Sequence, residues 1–145
     1  MNLRFYHLTK DSIAKSLPPL LDKILQSDQP VMLYSANEAL LKELDASLWT
    51  SRKVLPHTSE INENTAKHPI FLTHDADTNA NKATILVALG DLPATATDFK
   101  DVAYMFNGND ADETTAARAA WKEHKDSDAT LTYWQQNTKG WQQAA

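Results

Sequence analysis

The sequence predicts a single α/β domain, an open and mostly parallel β-sheet with helices on both faces. Three observations carry this. Short apolar runs alternate with helical patterns, the strand-helix-strand-helix order that calls for parallel pairing. The run "ATILVALG" (Ala83 to Gly90) has no polar side, as a central strand covered on both faces requires. A chain of 145 residues, 42% apolar and 23% charged, holds one real core but not two comfortable ones, so residues 1–145 are read as one domain.

The elements follow in order. "LRFYHL" (Leu3 to Leu8) alternates and is rich in aromatics, which predicts the first strand. In "DSIAKSLPPLLDKILQS", Asp11 or Ser12 suits a helix N-cap, and Leu17, Leu20, Leu21, Ile24 and Leu25 form a stripe. Proline is tolerated in a first helical turn and disruptive later, so Pro18 and Pro19 predict that regular helix starts there. "PVMLYSA" (Pro30 to Ala36) is a buried strand. "NEALLKELDASLW" is a second helix, capped by Asn37, with Leu40, Leu41, Leu44 and Leu48 on one face.

"VLPHT" predicts a short edge strand stopped by Pro56, and the polar "SEINENTAKH" a loop. "PIFLTH" (Pro69 to His74) and "ATILVALG" are strands separated by the loop "DADTNANK". "LPATATDF" turns the chain, and "DVAYMFNG" (Asp101 to Gly108) is a further strand. A helix from about Asp110 to His124 follows, then a last strand in "TLTYWQQ", with "KGW" closing the chain.

Composition narrows the function. With 19 Asp and Glu against 14 Lys and Arg, the net charge of -5 disfavours nucleic acid as primary ligand, because phosphate binding draws on a basic surface. Cysteine is absent, which excludes disulfides and thiol chemistry. "MNLRFYHLTKDSIAKSL" lacks the apolar core of a signal peptide, and no apolar run approaches the roughly 20 residues that span a bilayer. A cytoplasmic protein without membrane contact is expected. Gly90, Gly108 and Gly140 are the only glycines, too far apart for either standard phosphate loop. The expected topology is therefore Rossmann-like without a nucleotide site, and no cofactor is predicted.

Two clusters carry candidate chemistry. "HDAD" puts His74, Asp75 and Asp77 at the end of a predicted strand, where a metal-dependent hydrolase would place ligands or a proton-transfer pair. The same stretch runs straight into "TNANK", which favours a solvated loop, since a lone His–Asp pair recurs by chance and needs partners from elsewhere. His7, His57, His68 and His124 show no ligand spacing. The second cluster is "ARAAWK" (Ala117 to Lys122), in which Arg118, Trp121, Lys122 and Lys125 share one side of the late helix. If Ala116, Ala119 and Ala120 face the sheet, Trp121 is pushed to the edge of the buried surface, with cations beside it. Two readings stay open there. One is a core tryptophan among solvated charges, and the other is a docking site for an acidic peptide that ends in an apolar residue.

The ordered segments "LTKDS", "LWT…VLPHT", "ATILVALGDLP", "F…VAYMFNG", "ARAAWK" and the closing "GW" resemble the chi subunit family of bacterial DNA polymerase III, over essentially the whole chain. The resemblance implies a non-catalytic accessory subunit of the polymerase III holoenzyme. Such a subunit pairs with psi of the clamp-loader assembly and grips the acidic, phenylalanine-terminated C-terminal tail of single-stranded DNA-binding protein. The family's tail site follows the pattern A-R-x-x-aromatic-K, which "ARAAWK" matches, with tryptophan where tyrosine is frequent. By that likeness Arg118 and Lys122 meet carboxylates and Trp121 packs on the phenylalanine, while Lys125 joins the candidate site by helical spacing alone. Phe106 floors the pocket or serves the core. For psi no motif can be matched, and Trp49, Val54 and Leu55 are apolar candidates only. The alternatives are a metal-dependent hydrolase on His74, Asp75 and Asp77, and direct single-strand binding through Trp121, Tyr133, Trp134 and Trp141.

Overall fold

The structure, a computed structural model, describes residues 1–26, 29–50, 57–58, 70–77, 79, 82–137 and 140–144. Strand β1 (Asn2–Leu8) leads into α1 (Ile13–Leu25), β2 (Val31–Ser35), α2 (Glu38–Thr50), β3 (His57–Thr58) and β4 (Ile70–Thr73). Strand β5 (Ile85–Leu89), a 3-10 helix (Ala94–Asp98), β6 (Asp101–Asn107), α3 (Ala111–Lys125), β7 (Thr130–Asn137) and β8 (Gly140–Gln143) follow. The strands form one sheet in the order β3-β4-β2-β5-β6-β1-β7-β8. All neighbours pair in parallel except β7 with β8. The sheet divides the core in two. Tyr6 and Leu8 pack with Leu17, Leu21, Ile24 and Leu44 on the face of α1 and α2. Leu3, Phe5, Tyr104 and Phe106 pack with Ala96, Phe99, Ala117 and Ala120 on the face of the 3-10 helix and α3.

Four local expectations are corrected. Helix α1 starts at Ile13, not at the prolines: Ser12 Oγ accepts the Lys15 N–H at 3.2 Å, and Pro18 and Pro19 lie inside the helix. Proline removes the bonds that the Ala14 and Lys15 carbonyls would otherwise receive. The buried stripe Ile13, Leu17, Leu21 and Ile24 runs across this gap and holds the helix together. The strand within "VLPHT" lies after Pro56, at His57–Thr58, on the sheet edge beside β4; Val54 to Pro56 lie outside the described residues. "LPATATDF" forms a 3-10 helix whose Ala96 and Phe99 are buried. "TLTYWQQ" is not the last strand, since "GWQQ" adds β8, with Trp141 opposite Gln136 and edge-on to Tyr6 at 5.3 Å.

The winding places a crevice. Strands β1 and β6 are neighbours, yet β1 leaves through α1 toward β2 while β6 leaves through α3 toward β7. Their connections diverge to opposite faces. A hollow therefore opens near the carboxyl ends of β1 and β6, the usual place for ligands on open parallel sheets. His7 and Phe106, paired in register, stand there.

Candidate functional site

Helix α3 is fixed at its start by Asp110, whose Oδ1 accepts the N–H groups of Asp112 at 3.0 Å and Glu113 at 3.1 Å. It lies on the sheet through Ala117 and Ala120, which are buried. This corrects the phase read from sequence: Ala116 is half-buried and Ala119 exposed, so Ala117 takes the inward place expected of them. The same rotation leaves Arg118 and Lys122 exposed and Trp121 half-buried.

Trp121 leans on the strands. Its ring meets the buried Phe5 at 5.2 Å and Tyr133 at 5.8 Å, both edge-on, a favoured aromatic geometry. Phe5 stands in register between Tyr104 of β6 and Tyr133 of β7. One row further along, His7 stacks on Phe106 at 4.9 Å, and its Nδ1 lies 2.7 Å from the Tyr133 hydroxyl.

These side chains enclose a cavity of about 430 Å³ lined by His7, Phe106, Thr114, Ala117, Arg118, Trp121, Lys122 and Tyr133. That size is within the range of sites that accept small molecules or peptide ends, about 300–1,000 Å³. Four of the five residues singled out in the sequence, Phe106, Arg118, Trp121 and Lys122, meet in this cavity. Lys125 is exposed and lies outside the lining, one helical turn along. Phe106 is 1% exposed, so it closes the floor while belonging to the core. No carboxylate lines the cavity, and among the described residues neither Arg118 nor Lys122 has a carboxylate partner.

His7, Thr114 and Ala117 were not predicted here, and Tyr133 was named only as a possible base-stacking group. The signal was present in strand alternation. Leu3 and Phe5 are apolar and face α3, so His7 shares their face, as Tyr133 does with Leu131. Burial pushes the His7 imidazole below its usual range, with the Arg118 guanidinium acting the same way. Burial raises the Tyr133 phenol, and Arg118 opposes part of that rise. The cavity therefore holds a neutral imidazole, a neutral phenol and two cations, which is suited to an anion with an apolar part.

The other candidates assemble less. His74 is exposed, and its Nε2 lies 3.3 Å from Glu38 Oε1. The Asp75 N–H donates to Thr73 Oγ1 at 2.9 Å, and Asp75 Oδ1 accepts the Asp77 N–H at 3.0 Å, the bonding of a tight turn. Among the described residues no three His, Cys, Asp or Glu side chains are grouped to hold a metal. A hollow of about 300 Å³ at the carboxyl ends of β2 and β5 is lined by Asp91, Asp112 and Glu113, a charge that opposes phosphate. Trp134 and Trp141 pack on the opposite sheet face from Trp121 and Tyr133, so the four aromatics form no continuous stacking surface. The psi-facing candidates Val54 and Leu55 lie outside the described residues, and Trp49 is in the last turn of α2. No helix among the described residues is long and apolar enough to cross a membrane.

The family model described as DNA polymerase III chi subunit, HolC, matches residues 1–132. The chain belongs to the DNA polymerase III chi subunit family. A relative from Rickettsia prowazekii (strain Madrid E), named "Probable DNA polymerase III subunit chi", is 30% identical over 86 residues, 58% of this chain. The matched chain spans 52% of that relative's length. Among solved structures, the chain is similar to the C-terminal domain of a Dbp5 variant from S. cerevisiae, bound to a Gle1 variant and IP6. That match has 14% identity and a TM-score of 0.32, and covers 92% of this chain and 76% of the other. At that score the likeness carries no argument.

Proposed function

We propose that this protein is a non-catalytic accessory subunit of the replicative DNA polymerase III holoenzyme, acting in the cytoplasm. In this reading it pairs with psi and uses the α3 cavity to grip the acidic C-terminal tail of single-stranded DNA-binding protein. The observation that carries the reading is an aromatic cavity with Arg118 and Lys122 on its rim and no carboxylate in its lining. A terminal phenylalanine ring would enter between Trp121, Tyr133 and Phe106. Its main-chain carboxylate and the neighbouring acidic side chains would meet the two cations through charge-assisted hydrogen bonds. Lys125, about 4.5 Å further along the helix axis, adds field within a Debye length of the more distal carboxylates. No cofactor and no direct contact with nucleic acid are part of this reading.

Isothermal calorimetry with an acidic peptide ending in phenylalanine tests it. Binding should be modest, because a flexible tail is ordered on a small area, and should weaken as salt rises. Lys122→Ala and Arg118→Ala should each lose about 1–2 kcal/mol, a five- to thirtyfold weakening, with stability held within about 0.5 kcal/mol because both side chains are exposed. Trp121→Ala should abolish measurable binding. If all three variants bind as tightly as the parent, the site is wrong. The hydrolase reading on His74, Asp75 and Asp77 gains nothing from the geometry, and stoichiometric metal in purified protein, lost in His74→Ala, would revive it.

A further inference from the structure

The hydrogen bond between His7 and Tyr133 has no part in the docking scheme above, although both side chains line the cavity. In the 2.7 Å contact with the Tyr133 hydroxyl, His7 Nδ1 accepts in the neutral Nε2–H tautomer and donates in the neutral Nδ1–H tautomer or the imidazolium. With a neutral imidazole accepting at Nδ1, the tyrosine proton points at His7 and away from any ligand. With an imidazolium, Nδ1 becomes a donor, and the tyrosine oxygen accepts from it. Its own proton must then point elsewhere, and the open direction is the cavity.

We propose that His7 is a positioning residue that takes up one proton when a carboxylate-bearing chain end is seated, reverses its hydrogen bond with Tyr133, and turns the tyrosine hydroxyl toward that carboxylate. The inference rests on the docking reading and adds to it a proton-linked step. The only species exchanged is one proton from solvent, gained at the imidazole. The groups facing His7 set the direction. From β7 it meets Tyr133, from β6 the apolar ring of Phe106, and from α3 the cations Arg118 and Lys122 share its cavity. No carboxylate lines the cavity to favour imidazolium in the free protein, and burial beside Arg118 disfavours it. A bound carboxylate supplies the missing negative charge and screens Arg118. By linkage, a ligand that favours imidazolium binds more tightly in its presence. The ring is held for this role by its stack on Phe106 and by Gly108, where a Cβ would lie 2.0 Å from Nε2.

The test is calorimetry of the acidic, phenylalanine-ended peptide at pH 7.5, 6.5 and 5.5, at fixed ionic strength and in buffers of different ionisation enthalpy. Wild type should take up a fraction of a proton near pH 6.5 and tighten as pH falls, by up to about tenfold for each unit by which binding raises the His7 pKa. Peptide carboxylates, with pKa values near 4, stay ionised across this range. His7→Leu should bind with an affinity that no longer changes with pH and without proton uptake. Tyr133→Phe should lose proton uptake and pH-dependent tightening in equal measure, because the two are linked. His74→Gln, remote from the cavity, serves as the control with the wild-type profile. A purely structural His7 would weaken binding equally at every pH. Equal pH slopes in wild type and His7→Leu, or a flat wild-type profile, overturn the inference and leave the docking reading standing. No binding by wild type at any pH overturns both. Should His7→Leu not fold, the His7 ring resonances of wild type decide, since a titration midpoint that does not rise when peptide is added refutes the step.

Discussion

Gly108, just past the end of β6, leaves room for the His7 ring that lines the cavity, and Gly108→Ala is the sharpest probe of that close approach. An added Cβ would lie 2.0 Å from His7 Nε2, 2.3 Å from His7 Cδ2 and 2.6 Å from the Leu8 carbonyl oxygen. The imidazole would have to retreat about 1.5 Å to reach ordinary contact, and the carbonyl nearly 1 Å. Neither is free to do so. The ring is stacked on Phe106 and bonded to Tyr133, and the Leu8 oxygen accepts the Gly108 N–H at 2.7 Å. Expelling the ring costs about 1 kcal/mol for the hydrogen bond and about 0.5–1.5 kcal/mol for the stack. The backbone clash adds an overpacking cost of about 1–3 kcal/mol, part of which relaxation recovers. A loss of about 2–4 kcal/mol is expected, which lowers the melting temperature by roughly 6–12 °C in a chain of this size. Urea unfolding at constant m measures it. The double variant His7→Ala with Gly108→Ala should lose at least about 1 kcal/mol less than the two single variants added together, because only the carbonyl clash remains. A Gly108→Ala protein within about 0.5 kcal/mol of the parent, and additive with His7→Ala, would refute the close approach.

Three further outcomes follow from named contacts. Gln136, buried on β7, accepts the N–H groups of Thr9, Lys10 and Asp11 at 3.0–3.3 Å and donates to Asp11 at 2.8 Å, so Gln136→Ala should cost about 2–4 kcal/mol in urea unfolding. Asp110→Ala removes the α3 cap and should cost about 1 kcal/mol, read as an earlier thermal transition by circular dichroism. Burial raises Asp91 above its ordinary value of 3.8, against the opposing bond from Tyr34. The folded state therefore holds that proton more strongly than the unfolded chain. The stabilising contribution is complete below 3.8 and is lost as pH rises through the raised folded value. The stability of the parent relative to Asp91→Asn should accordingly grow as pH falls from 7 toward 4, and a difference independent of pH would contradict this.

The architecture was legible where burial dictates composition. Strands β2, β4 and β5 are buried throughout, and their sequences "VMLYS", "IFLT" and "ILVAL" are apolar or nearly so for that reason. Strand β8 escaped notice because an edge strand of "GWQQ" buries only Trp141 in part and needs no apolar run. The start of α1 was misplaced because proline's local cost was allowed to outweigh the Ser12 cap and the buried stripe from Ile13 to Ile24. At the cavity, Arg118, Trp121 and Lys122 could be read together because one helix carries them at i, i+3 and i+4. His7 and Tyr133 lie 126 positions apart and meet only through the β1–β7 pairing, a long-range fact that no local pattern encodes. The phase of α3 was off by one residue because every residue from Ala116 to Trp121 except Arg118 is alanine or tryptophan, which leaves little polarity to mark the inward side.

The charge layout of α3 explains how such a fold can attract an anion without a glycine loop. In nucleotide-binding open parallel sheets, free N–H groups at a helix N-terminus hold phosphate. Here that end is occupied by the chain itself: Asp110 accepts two of the N–H groups, and Asp112 and Glu113 place further negative charge in the first turn. A phosphate there would meet three carboxylates. Positive charge is instead carried along the helix flank by Arg118 at mid-helix and by Lys122 and Lys125 in the last turn, where the macrodipole favours cations. Anion attraction has thus moved from backbone to side chains, and from the helix start to its flank. Long, exposed cations beside an indole cannot enclose a compact phosphate as a backbone nest does. They can track several carboxylates spaced along an extended chain whose last residue fills an aromatic hollow, which is the ligand chemistry proposed for the cavity.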